Sequence, residues 1–70
     1  MSMFRIIMIM ENIEIEILKI KSIRECRKWL QIIRNKYLHK GWLSVKINNN
    51  CIYVLSQDGK HEYKFVIKEA

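Results

Sequence analysis

The feature that most constrains this chain is one amphipathic helix near its centre, with both ends written into the sequence. Ser22 followed three residues later by Glu25 reads as a capping box, in which two side chains satisfy backbone N–H groups that a helix start leaves without partners. Gly41 stands where the closing turn calls for a left-handed residue, so the helix is expected from about Ile23 to Lys40. Within it Ile23, Cys26, Leu30, Ile33 and Tyr37 recur at the three- and four-residue steps of a single apolar stripe, with Trp29 on its flank. The opposite arc holds Arg24, Arg27, Lys28, Gln31, Arg34 and Asn35, which is four cations and no carboxylate.

Both flanks of the helix read as strand. Ile13, Ile15 and Ile17 alternate with Glu14 and Glu16, the period-two pattern of a half-buried strand. The phase slips at Leu18, which predicts a bulge before the helix. Upstream, Phe4, Ile6, Met8 and Met10 alternate as well, and a turn at Glu11 and Asn12 pairs Met10 with Ile13, Met8 with Ile15 and Ile6 with Ile17. The first ten residues are read either as that strand or as a loose extension. After Gly41 come three short strands, separated by Asn48-Asn49-Asn50 and Asp58-Gly59, residue types that tolerate the positive φ of tight hairpins. These turns pair Ile47 with Ile52, Val45 with Val54, Val54 with Tyr63 and Ile52 with Phe65, so Leu43, Val45, Ile47, Ile52, Val54, Tyr63, Phe65 and Ile67 are expected to face the helix. The expected fold is therefore α+β: an antiparallel sheet of four or five strands with one helix packed on one face, ββαβββ or βαβββ, in a single domain over residues 1–70.

A chain of 70 residues buries only about 60% of the surface its unfolded form exposes, which leaves little room for an enclosed active site. Asp58 is the only aspartate and sits in a turn, Ser44 has no histidine near it in the expected pairing, and no glycine-rich phosphate loop occurs. No catalytic residue is expected, and His61 opposite Ser56 reads as a turn-flanking pair. Cys26, His39, Cys51 and His61 are zinc-ligand types without the close spacing that structural sites use, so no metal or cofactor is expected and both cysteines read as reduced core thiols. The apolar run Ile6 to Met10 is too short for a signal peptide or a membrane span, and a cytoplasmic, non-membrane protein is expected.

Charge points to the class of partner. Thirteen Lys and Arg against seven Asp and Glu give +6, with residues 1–16 at −2 and residues 17–70 at +8. Such a field favours nucleic acid, an anionic surface or an acidic protein. The same register predicts Lys46, Tyr53 and Lys64 side by side on the face away from the helix, with Trp42, Ser44, Leu55, Glu62, Val66 and Lys68 around them. Rings interleaved with ammonium groups resemble a stacking platform for single-stranded nucleic acid, although Tyr and Lys also suit any exposed strand. That face is more apolar than solvent exposure requires, which predicts homodimerisation through it or docking to another protein. The helix arc, Arg24, Arg27, Lys28 and Arg34, is either a solvated face or a phosphate-contacting one.

Ile, Lys and Asn make up 27 of the 70 residues, as expected of an AT-rich coding sequence. In size and composition the chain is similar to phage-encoded inhibitors of bacterial defence, anti-CRISPR proteins among them. That similarity implies a non-enzymatic inhibitor that blocks or modulates a protein or nucleoprotein complex of nucleic-acid-processing machinery. The alternative is a direct, sequence-independent nucleic-acid binder using the helix arc or the Lys/Tyr sheet face.

Overall fold

The computed structural model describes residues 2–70; Met1, the first residue of the expected domain, lies outside the described residues. Its elements in chain order are β1 (Phe4–Met10), β2 (Ile13–Ile20), α1 (Ile23–His39), β3 (Leu43–Asn48), β4 (Cys51–Leu55) and β5 (Glu62–Glu69). The strands form one sheet in the order β2-β1-β5-β4-β3, every neighbouring pair antiparallel, with α1 across one face. The expected ββαβββ arrangement is the observed one. Residues 4–10 are the strand β1 and not an extension. No helix among the described residues is long and apolar enough to cross a membrane.

The helix forms where its caps place it. Ser22 Oγ accepts the N–H of Glu25 at 3.2 Å, the Ser22 half of the capping box. At the other end Gly41 adopts φ +83° and donates to the Leu38 carbonyl at 3.0 Å, while Trp42 N–H donates to the Tyr37 carbonyl at 3.0 Å. This double closure brings the residue after the glycine back against the last turn, where its side chain makes an apolar contact. Trp42 makes that contact: its ring lies 4.9 Å from Tyr37 and 5.5 Å from Tyr63. The stripe reaches the sheet through Cys26 and Leu30, which join Ile6, Ile52, Val54 and Phe65 in the buried core.

Four of the seven expected pairings hold and three fail. Met10 faces Ile13 and Met8 faces Ile15, but the extra residue Ile17 sets Ile6 opposite Leu18, so the bulge signalled by the phase slip lies inside β2. Val54 faces Tyr63 and Ile52 faces Phe65 as the Asp58-Gly59 turn requires. In β3 the Asn48–Cys51 pair closes the hairpin as expected, yet Ile47 is bulged out, so Lys46 faces Ile52, Val45 faces Tyr53 and Ser44 faces Val54. Leu43, Val45 and Ile47 therefore do not face the helix; they are 66%, 56% and 52% exposed, whereas Val54 is fully buried.

The cause is a conflict of parity. The hairpin places Asn48 on the face of Cys51, and strict alternation from there would put Trp42 on that face too. The helix closure demands Trp42 on the other face. One inserted residue, Ile47, reconciles the two, and the odd-numbered apolar residues of β3 turn outward as a result.

Candidate functional site at the edge strand

The register assigns each side chain to the sheet face away from α1. One row runs Glu14, Ile9, Lys64, Tyr53, Val45 across all five strands, and the next runs Glu16, Ile7, Val66, Cys51, Asn48. The two halves of this face differ. On the β2 side, Arg5 Nη1 lies 3.8 Å from Glu16 Oε1 and Lys68 Nζ lies 3.8 Å from Glu14 Oε1. Lys68 is opposite Arg5, and Glu14 is opposite Ile9, so the Lys68–Glu14 pair spans β1 directly above Ile7. Ile7, beneath this crossing, has no helix over it yet is only 3% exposed, as burial under the aliphatic stems of such a pair would give. On the β3 side no such lattice exists among the described residues, and Leu43, Val45, Tyr53 and Leu55 form a bare apolar area that continues to the rim.

Tyr53 is tied down within that area. Its hydroxyl donates to Glu62 Oε2 at 2.5 Å, and this bond to a carboxylate holds the phenol pKa above its ordinary value. A Glu62 carboxylate beside the ring also weakens the site for a phosphate backbone.

The other face of β3 is cationic. Arg34 Nε donates to Ser44 Oγ at 3.1 Å, and Arg27 Nε donates to Asn50 Oδ1 at 2.9 Å, which fixes this flank of α1 over β3 and the β3–β4 turn. A hollow of about 290 Å³ lies between helix and strand, floored by Leu30 and Ile52 and bordered by Arg27, Gln31, Lys46 and Asn48. Arg24 and Lys28 stand exposed farther round the helix. Among the described residues the ion pairs are those of Arg5 and Lys68, so none of these five cations is matched by a carboxylate.

Of the residues singled out from sequence, Tyr53 and Lys64 are cross-strand neighbours as expected. Lys46 is not in their row; the bulge moves it to the helix side, where it lines the hollow with Arg27, two residues along β3 from the Ser44 that Arg34 binds. Trp42 is not on the outer face either, being held in the aromatic cluster with Tyr37 and Tyr63. Ser44 is likewise a partner of Arg34 and not an outer-face residue. The residues exposed in their place, Leu43, Val45 and Ile47, are ones that periodicity assigns to the core. The signal that identifies them was present: Gly41 at the helix end predicts that Trp42 folds back on Tyr37, and that alone sets the parity of β3.

The remaining polar groups serve local structure. Ser56 Oγ donates to Asp58 Oδ1 at 2.6 Å and accepts the His61 N–H at 3.0 Å, so its hydroxyl is engaged within the β4–β5 loop. The Ser56 bond, followed by that from Lys60 N–H, holds the Asp58 pKa below its ordinary value. Cys26 and Cys51 are free, and burial pushes both thiols up in pKa. No protein-family model, curated protein or solved structure matches this chain.

Proposed function

We propose that this protein is a non-enzymatic binding module that acts by occupying the surface of another protein, with β3 and the adjoining half of the outer sheet face as the contact. The observation that carries the reading is the exposure of Leu43, Val45 and Ile47 on a free edge, continuous with Tyr53 and Leu55. Large apolar side chains gathered at one rim, with polar groups around them, are the composition of an interface centre. The net charge of +6 selects partners with acidic surfaces, and a component of nucleic-acid-processing machinery, blocked or adjusted by the bound module, fits that requirement. In this reading the protein works from the cytoplasm, as phage-encoded inhibitors of bacterial defence do.

A second reading rests on the grouping of Lys46 with Arg27 and Arg34, backed by Arg24 and Lys28: direct, sequence-independent contact with nucleic acid. The two separate in one comparison. Capture from a bacterial lysate is carried out with and without nuclease, using the native chain, Val45→Lys and the double variant Arg24→Ala/Lys28→Ala. The protein-binding reading expects a nuclease-resistant partner that Val45→Lys loses. Capture that disappears with nuclease and with the arginine–lysine variant, while Val45→Lys retains it, establishes the nucleic-acid reading instead.

A further inference from the structure

We infer that β3 receives an extended segment of the partner as a sixth strand, and that this segment alternates apolar with acidic side chains. The inference rests on the protein-binding reading above and names the chemistry of the partner.

β3 ends the sheet, so one side of its backbone has no neighbouring strand. An added strand would be bound by main-chain hydrogen bonds, with its side chains alternating between the two faces. On the outer face they meet Leu43 and Val45. On the helix face they meet Ser44 and Lys46, with Arg27 and Arg34 just inward and no carboxylate already paired to them among the described residues. The complementary segment is thus apolar at every second position and acidic at the positions between. The bulge at Ile47 breaks the strand's alternation after Lys46, which places the matched stretch opposite Leu43 to Lys46.

The opposite edge shows the same chemistry satisfied. β2 reads Ile13-Glu14-Ile15-Glu16, lies beside β1, and finds cations for its two carboxylates in Arg5 and Lys68. An apolar and acidic strand against a cation-bearing neighbour is therefore a pairing this sheet already contains.

A second copy is the poorer occupant. Two β3 strands paired about Val45 would match Leu43 with Ile47 and Val45 with itself. The same symmetry would bring both copies of Lys46, Arg24, Arg27, Lys28 and Arg34 to one side of the joint, between chains that each carry +6. Like charges at that density oppose closure, and an acidic strand relieves them.

The test uses a short capped peptide of alternating Val and Glu, a control in which the same residues are gathered in two blocks, a Val/Lys alternation, and a short single-stranded DNA. Affinity is measured by titration, and backbone exchange by NMR. The Val/Glu alternation is expected to bind, to slow amide exchange across Leu43 to Lys46, and to weaken as salt rises. Lys46→Glu is expected to lower that affinity about tenfold and to raise that of the Val/Lys peptide. Equal binding of the blocked control, or protection appearing at β2, overturns the added strand. If Val45→Lys loses the captured partner yet no strand peptide protects β3, the partner docks on the face without extending the sheet; the inference fails and the protein-binding reading survives. Binding of the DNA alone, with all peptides silent, overturns both.

Discussion

β2 and β3 are the two rims of one sheet, each carries a single bulged isoleucine, and each alternates apolar with polar side chains, yet the charges they bear have opposite fates. Glu14 and Glu16 of β2 are answered within the molecule by Lys68 and Arg5, and the pairs seal the sheet above Ile7. Lys46 of β3 lines a hollow with Arg27, near the Arg34 that binds Ser44, and meets no carboxylate among the described residues, while Leu43 and Val45 on the other face remain in water. The difference teaches where to look for function in a small sheet. β2 also exposes isoleucines, Ile13 at 54% and Ile17 at 43%, so the rims differ in charge and not in apolar exposure: one has its charges neutralised internally, whereas the other presents cations that meet no carboxylate and is shaped for an acidic group outside the chain.

The comparison depends on the parity of β3, so the strongest test attacks what sets it. Trp42→Ala removes the contact with Tyr37 and Tyr63 and should cost about 3 kcal/mol, enough to abolish a cooperative urea transition in a domain of this size. Gly41→Ala acts on the same closure, because φ +83° strains any side chain and the new Cβ would meet Gln57 Nε2 at 2.6 Å. A loss of about 1–2 kcal/mol is expected in the same urea measurement.

Smaller effects distinguish the rims. Glu14→Lys should cost about 0.5 kcal/mol at low salt and almost nothing at high salt, as a surface ion pair does. Val45→Lys should shift stability by less than about 0.5 kcal/mol, because the side chain is already 56% exposed; a loss as large as that of Trp42→Ala would return Val45 to the core and remove the proposed contact. The smallest effect lies in the β4–β5 loop, which neither rim uses. The Asp58 pKa is depressed on folding by Ser56 and Lys60, so its contribution is present above the unfolded aspartate range and fades as pH falls through the lowered value. Asp58→Asn should flatten that acid limb in a pH series of urea midpoints by lowering the neutral-pH midpoint slightly while leaving the low-pH midpoint nearly unchanged.

Much of this architecture was legible because it is local. Caps, turns and periodicity name the helix, the element order, the β4–β5 register and the bulge before α1. The orientation of β3 was not, since two local signals disagreed: Asn49-Asn50 argued for Val45 inward, and Gly41 with Trp42 argued for it outward. Periodicity reports that alternate residues share a face without saying which face, and three apolar side chains made the wrong one look natural. Lys46 follows the same parity, so it leaves the Tyr53 row and stands on the helix side.

The two inserted isoleucines carry a consequence of their own. Ile17 and Ile47 absorb a mismatch of phase, and at 43% and 52% exposed they stand outside the buried core, so the backbone insertion matters to the interior more than the side chain it carries. They are the places where a chain this small can change its outward wording without rewriting its grammar. Specificity for a new target can accumulate at those two positions while the layer beneath them keeps its form.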